Sequence, residues 1–154
     1  MKKYGVLIVG TGWVSGEHIR AFSMNPHSEV VAIVSRSADK ALAKAKEYGL
    51  VGVNCYTDYD QALKDSRVDI VCICTPNHLH TVQTIKAAEA GKHILIEKPI
   101  ALSWDDALAM KKAVDKAGVK TLVGYVLRWN PLFETAKKIQ DRFLERLYYT
   151  ETDY

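Results

Sequence analysis

Tyr4-Gly5-Val6-Leu7-Ile8-Val9-Gly10-Thr11-Gly12-Trp13-Val14-Ser15-Gly16 is the stretch that decides the fold. Its first six residues are a short apolar run without polar alternation, the pattern of a strand buried on both faces. The run ends in Gly10-Thr11-Gly12, and a helix is expected to open directly after it. Gly10 allows the tight turn. Gly12 lets a diphosphate approach the backbone at the positive end of that helix. The third glycine of a G-x-G-x-x-G pattern is replaced by Ser15, small enough for close helix–strand packing. A glycine pattern alone says little, but directly after an N-terminal strand it points to a dinucleotide site rather than a structural turn.

The next strand end speaks to the kind of dinucleotide. NAD-specific sites carry an acidic residue at the end of the second strand, where it accepts from the ribose 2′-hydroxyl. Here Val30–Val34 runs into Ser35-Arg36-Ser37, with Lys40 close by. A carboxylate would repel a 2′-phosphate, whereas a hydroxyl and a guanidinium attract one. NADP is therefore favoured over NAD. The alternative is a neutral turn whose solvated Arg36 stacks on the adenine of either cofactor.

Further along, short apolar runs at Asp69–Cys74, His93–Ile96 and Lys120–Val123 alternate with helical patterns, and Val53–Tyr56 reads as a short strand. Ala38, Ala41, Ala45 and Tyr48 recur at steps of three and four before Gly49. Ala107, Met110, Val114 and Ala117 do so before Gly118, and Leu79, Val82 and Ile85 before Gly91. Ser103 with Asp106, and Thr57 with Asp60, have capping-box spacing. Strand–helix alternation of this kind predicts an α/β fold, a doubly wound parallel sheet with right-handed crossovers and ligands at the carboxyl ends of its strands. Beyond the last run, Asn130-Pro131 has the form of an N-cap and first helical residue. Leu132, Ala136, Ile139, Phe143 and Leu147 follow as an apolar stripe. Tyr148–Tyr154 is a strand by composition, and a lone strand lacks partners for its backbone groups. The expectation is a dinucleotide-binding domain over residues 1–124, with residues 125–154 the connecting helix and first strand of a truncated second α+β domain.

Two more strand ends carry chemistry. In Cys74-Thr75-Pro76-Asn77-His78-Leu79-His80, Pro76 fixes the backbone, and Asn77 can cap the next helix or meet a ribose hydroxyl. His80 can touch a ligand or bond to backbone at a helix start. In Glu97-Lys98-Pro99, Lys98 can move a proton or orient a substrate oxygen, with Glu97 tuning its charge. Taken together, the glycine loop, Thr75-Pro76-Asn77 with His80, Glu97-Lys98-Pro99, and Gly124-Tyr125 with Arg128-Trp129-Asn130-Pro131 resemble the glucose–fructose oxidoreductase, inositol dehydrogenase and rhizopine-catabolism (Gfo/Idh/MocA) family. The resemblance covers nearly the whole chain and implies a Rossmann-type domain. It implies hydride transfer between NAD or NADP and a hydroxyl- or carbonyl-bearing carbon of a sugar, cyclitol or related polyol. By the same resemblance Lys98 is the catalytic residue, and the Lys98–Pro99 bond is expected to be cis. Gly10, Thr11, Gly12, Trp13 and Val14 would hold the diphosphate side, with Ser35 and Arg36 at the adenosine ribose and Lys40 close enough to assist. Thr75, Asn77 and Glu97 would lie along the nicotinamide half, Pro76, His80 and Lys98 are counted with the cofactor-binding residues, and Arg128 would reach cofactor or substrate from the domain junction. In the family a further domain carries substrate contacts and a second catalytic residue, so the 154 residues are expected to bind cofactor and turn over poorly alone.

Composition narrows the alternatives. With 48% hydrophobic and 25% charged residues the chain has material for one sizeable core, which excludes disorder as its main state. No apolar run reaches the length of a membrane helix, and Val6–Val9 is too short for a signal peptide, so a cytoplasmic protein is expected. Its net charge of +3 is spread along the chain without a basic, aromatic-interleaved cluster, which speaks against nucleic-acid binding. Cys72 and Cys74 alternate within an apolar run, the mark of core packing; no further ligand at metal-site spacing accompanies them, and no metal is expected. Homo-oligomers through the terminal strand remain open. The rival functions are a non-catalytic dinucleotide-binding module, a glycosidase-like parent that uses NAD transiently, and, least favoured, a methyltransferase.

Overall fold

The computed structural model describes residues 3–143. The expected strand at Tyr148–Tyr154 and the stripe position Leu147 lie outside them. The chain divides after Gly124 into two compact units.

In the first unit strands and helices alternate: β1 (Tyr4–Val9), α1 (Trp13–Met24), β2 (Ser28–Val34), α2 (Ala38–Glu47), β3 (Asn54–Tyr56), α3 (Tyr59–Leu63), β4 (Ile70–Ile73), α4 (His80–Glu89), β5 (His93–Ile96), α5 (Trp104–Ala117) and β6 (Thr121–Val123). The six strands form one parallel sheet in the order β3-β2-β1-β4-β5-β6. This is the doubly wound α/β sheet that the alternation predicts.

Its core has two layers because strand side chains alternate between faces. Val6 and Ile8 point into a layer with Ile19 of α1, Ala41 and Ala45 of α2, and Cys72 and Cys74. Leu7 and Val9 point into the opposite layer, with Leu63 of α3, Ala87 and Ala88 of α4, and Met110 of α5. Val6, Leu7 and Ile8 have no exposed surface at all. Gly5 has a separate reason. A β-carbon there would lie 1.9 Å from the Arg67 carbonyl oxygen and 3.1 Å from Val31, beside the irregular β1–β2 register between Val6 and Leu7.

Helix ends follow the sequence signals with two corrections. Ser103 caps α5, its Oγ accepting from the Asp106 amide at 3.1 Å, and Gly118 closes the helix at φ +66°. The cap of α3 is Asp58, not Thr57. Its Oδ1 accepts from the amides of both Asp60 and Gln61, two contacts that a threonine hydroxyl one residue earlier does not make. Asn77 caps nothing with its side chain, because a 3-10 turn over Asn77–Leu79 stands between strand end and α4, whose N-terminal cap position falls on Leu79.

The second unit holds a 3-10 turn, Val126–Trp129, and α6 (Pro131–Phe143). The Asn130 side chain accepts from the Leu132 amide at 2.9 Å, the expected cap. The stripe residues Leu132, Ile139 and Phe143 are exposed. No helix among the described residues is long and apolar enough to cross a membrane.

Candidate functional site

All six strands run the same way, so their carboxyl ends share one edge of the sheet. From β1 the chain winds outward through β2 to β3, then returns to place β4 on the other side of β1. The β1–β4 junction is therefore the switch point where a crevice opens in sheets of this class. The loops meeting along this edge begin at Gly10, Ser35, Cys74, Glu97 and Gly124.

The three glycines of the first loop differ in what they serve. Gly10 adopts φ +102°, and a β-carbon on it would lie 2.8 Å from the Cys74 carbonyl oxygen. Its amide continues the sheet to the Val34 carbonyl at 2.9 Å. Gly16 faces the Tyr48 hydroxyl so closely that a β-carbon would stand 2.1 Å from it. The close packing that G-x-G-x-x-G assigns to its third glycine thus falls here on Gly16, while Ser15 is buried with its hydroxyl donated to the Gly12 carbonyl at 2.6 Å. Gly12 is required by neither constraint. Its φ is −68°, open to any residue, and a β-carbon would meet nothing within 4 Å. It is the N-cap of α1 with no side-chain cap bond, and the first turn carries no acidic residue. The unpaired amides of that turn, their dipole and the open space above Gly12 together fit an anion such as a dinucleotide diphosphate. Trp13 beside them is 82% exposed, and Val14 packs partly against the core.

At the end of β2, Ser35 is buried, with its hydroxyl 3.3 Å from the Thr11 hydroxyl and within 3.5 Å of the Ser37 amide. Arg36 and Lys40 are exposed. The guanidinium and the ammonium, more than the committed serine hydroxyl, are the groups available to a phosphate.

Past β4, Pro76 and Asn77 are exposed, while the Thr75 hydroxyl is donated to Gln83 Oε1 at 2.5 Å. His80 has no exposed surface. Its Nδ1 lies 2.9 Å from the Pro99 carbonyl oxygen and its Nε2 2.9 Å from that of Thr75. The backbone-bonded alternative is the one observed: His80 ties the β4 and β5 end loops together and offers a ligand no surface.

Past β5, the Lys98–Pro99 bond is cis and Lys98 is exposed. Glu97 is buried. Its Oε1 is 2.8 Å from Nε2 of His18, and its Oε2 accepts from the Lys98 amide at 3.3 Å. His18 was not among the sequence candidates. The signal available was a titratable residue three positions after Ser15 on the inward side of α1. Gly124 leaves room for the same carboxylate, since a β-carbon there would stand 2.8 Å from Glu97 Oε1. In the second unit, Arg128 is exposed within the Val126–Trp129 turn.

Comparison with known proteins agrees with this architecture. Residues 4–125 match the model of an oxidoreductase family with an NAD-binding Rossmann fold, Gfo/Idh/MocA. Among curated relatives, 4-carboxy-2-hydroxymuconate-6-semialdehyde dehydrogenase of Sphingobium sp. (strain NBRC 103272 / SYK-6) is 36% identical over 82% of this chain and 39% of its own. The 2,7-anhydro-N-acetylneuraminate hydratase of Escherichia coli (strain K12) is 32% identical over 90% of this chain and 36% of its own. Among solved structures, scyllo-inositol dehydrogenase from Lactobacillus casei, with bound NAD(H) and scyllo-inositol, superposes with a TM-score of 0.83 at 26% identity. It matches over 92% of this chain and 42% of its own. The chain thus spans about two fifths of the length of the relatives it matches.

Proposed function

The chain belongs to the Gfo/Idh/MocA oxidoreductases, whose NAD-binding Rossmann fold it carries over residues 4–125, and on that footing we propose that it serves hydride transfer to or from a sugar, cyclitol or related polyol. The observation that carries this reading is the single edge that gathers the open amides above Gly12 and the exposed Lys98. Scyllo-inositol as the ligand of one structural relative supports the polyol class.

The nicotinamide, when bound, supplies the hydride acceptor or donor. The chain's own residues bind and prepare. Amides of Thr11, Gly12, Trp13 and Val14 hold the diphosphate at the α1 terminus. Arg36 and Lys40, with Ser35 beneath them, meet the adenosine ribose and favour a 2′-phosphate, hence NADP over NAD. Thr75, Pro76 and Asn77 border the nicotinamide side, and His80 keeps that loop in register with Pro99. Lys98 is the catalytic residue: its Nζ takes the proton from a substrate hydroxyl in oxidation and returns it in reduction. Glu97, held by His18, accepts from the Lys98 backbone amide and so braces that turn, and Arg128 is a further contact to cofactor or substrate.

The hydratase relative favours one second reading, a net reaction without overall redox change in which the nicotinamide is used transiently. Such a parent would keep its dinucleotide through turnover.

Fluorescence titration of the chain with NADPH and NADH at fixed ionic strength, with Trp13 as reporter, is the test. Tighter NADPH binding, lost in Arg36→Ala, is the expected result. Tighter NADH binding keeps the oxidoreductase reading and reverses the cofactor choice, while binding of neither overturns the site. With either cofactor the 154 residues are expected to give no polyol-dependent change in nicotinamide absorbance at an enzymatic rate.

A further inference from the structure

We propose that His18, Cys72 and Cys74 form a binding site for one thiophilic divalent cation such as Zn²⁺, between α1 and β4. The proposal is separable from the dinucleotide reading because it is read out by the metal alone, although His18 also fixes Glu97.

One ring nitrogen of His18 and the two sulfurs lie within 4.8 Å of one another. The sulfurs themselves are 3.6 Å apart. Two thiolates on a tetrahedral zinc, at bonds of about 2.3 Å, sit about 3.8 Å from each other. The pair therefore already has the bite that the ion needs. Strand periodicity puts both cysteines on the same face of β4, and that face is the one α1 covers. Sequence spacing supplies only the two sulfurs. The third donor comes from a helix distant in the chain and adjacent in the fold.

The surroundings also fit. Besides the two cysteines, the buried members of this layer are Val, Ile and Ala, and the imidazole is the polar ring set against its sulfurs. A dication with two thiolates and a neutral imidazole carries no net charge, so the buried site imposes little desolvation cost. Binding is balanced by protons: each cysteine gives up its S–H as its sulfur bonds the metal, releasing two protons per ion. Cys74 and the His18 side chain keep some exposed surface, which supplies a path of entry, whereas Cys72 has none. The fourth position is left to water.

Co²⁺ titration of the reduced chain under anaerobic conditions tests this directly. Expected are one Co²⁺ per chain, a near-ultraviolet thiolate-to-cobalt band, the intense visible bands of a four-coordinate ion, and bleaching by one equivalent of Zn²⁺. Cys72→Val and Cys74→Ala, apolar replacements chosen to keep the core filled and checked by circular dichroism, should each lose the two-thiolate spectrum. His18→Asn should weaken binding at least tenfold. Cys55→Ser, at the half-buried third cysteine, should change nothing. Absence of a thiolate band at saturating Co²⁺, its persistence in the Cys72→Val/Cys74→Ala double variant, or full affinity in His18→Asn would each overturn the site.

Discussion

Gly10 and Gly12 look alike in the sequence and differ in what constrains them. Gly10 is held by a left-handed φ and by the Cys74 carbonyl, so Gly10→Ala should cost about 1–3 kcal/mol in strain and lower the melting temperature with or without ligand. Gly12 answers to nothing inside the chain, so Gly12→Ala should cost at most about 1 kcal/mol of stability. Its dinucleotide affinity should nonetheless fall at least tenfold in the fluorescence titration, because the β-carbon fills the approach to the α1 amides. The His18–Glu97 pair makes a second test. His18→Ala leaves a buried carboxylate one hydrogen bond short, a loss of roughly 1–3 kcal/mol measurable by urea unfolding. The turn at Gly10 is legible in sequence because its positive φ is a local demand, though its contact with the Cys74 carbonyl is not. Residues that work through a distant partner are not legible in this way. Nothing near His18 in the chain says that Glu97 lies against it, and nothing near His80 says that both of its nitrogens face carbonyl oxygens.

Among the elements, β1, β2, β4 and β5 are legible because burial on both faces leaves unbroken apolar runs. β3 and β6 are edge strands of three residues each, and carry a correspondingly faint signal. Beyond its pairing with β2 and the packing of Cys55 and Tyr56, β3 is held by a polar cluster. Asp65, in the loop after α3, accepts through Oδ2 from Asn54 Nδ2 at 3.0 Å, the Tyr56 hydroxyl at 3.1 Å and Arg67 Nη2 at 2.9 Å. Its hydrogen bonds from the Arg67 side chain hold the carboxyl far below the usual carboxylate range, against the opposing effect of burial. Because the folded value is depressed, the stabilisation is complete above the unfolded value of about 3.9 and is lost as pH falls through the folded one. Melting curves should thus show the wild type losing its advantage over Asp65→Ala below about pH 4. At neutral pH the gap should be roughly 1–3 kcal/mol. The displaced cap of α3 has a similar cause: Thr57 and Asp58 are adjacent, both are cap formers, and only the folded loop decides between them.

For the whole molecule, the strand order places β1 and β4 at the centre and β3 and β6 at the rims. Amide hydrogen exchange should be slowest at Leu7, Ile8, Val71 and Cys72, which are fully buried, and faster by orders of magnitude at Thr121 and Leu122, where the sheet ends in exposed side chains. The doubly wound architecture and the ligand-bearing edge follow from the alternation of runs alone. The pairing of β1 with β4 rather than β3 does not, since it depends on which strands neighbour in space. That pairing bears on the order in which the protein is made. Val6 pairs with Ile70 and Val9 with Ile73, while the Gly5 amide donates to Asp69 Oδ2 at 2.8 Å. On the ribosome, β1 and β2 can meet early, but the second flank of β1 stays bare until the segment through Ile73 has left the exit tunnel. Until then a strand destined to be buried from Gly5 to Val9 has an open hydrogen-bonding side, and this interval of synthesis is where a chaperone or a misplaced strand would compete for it.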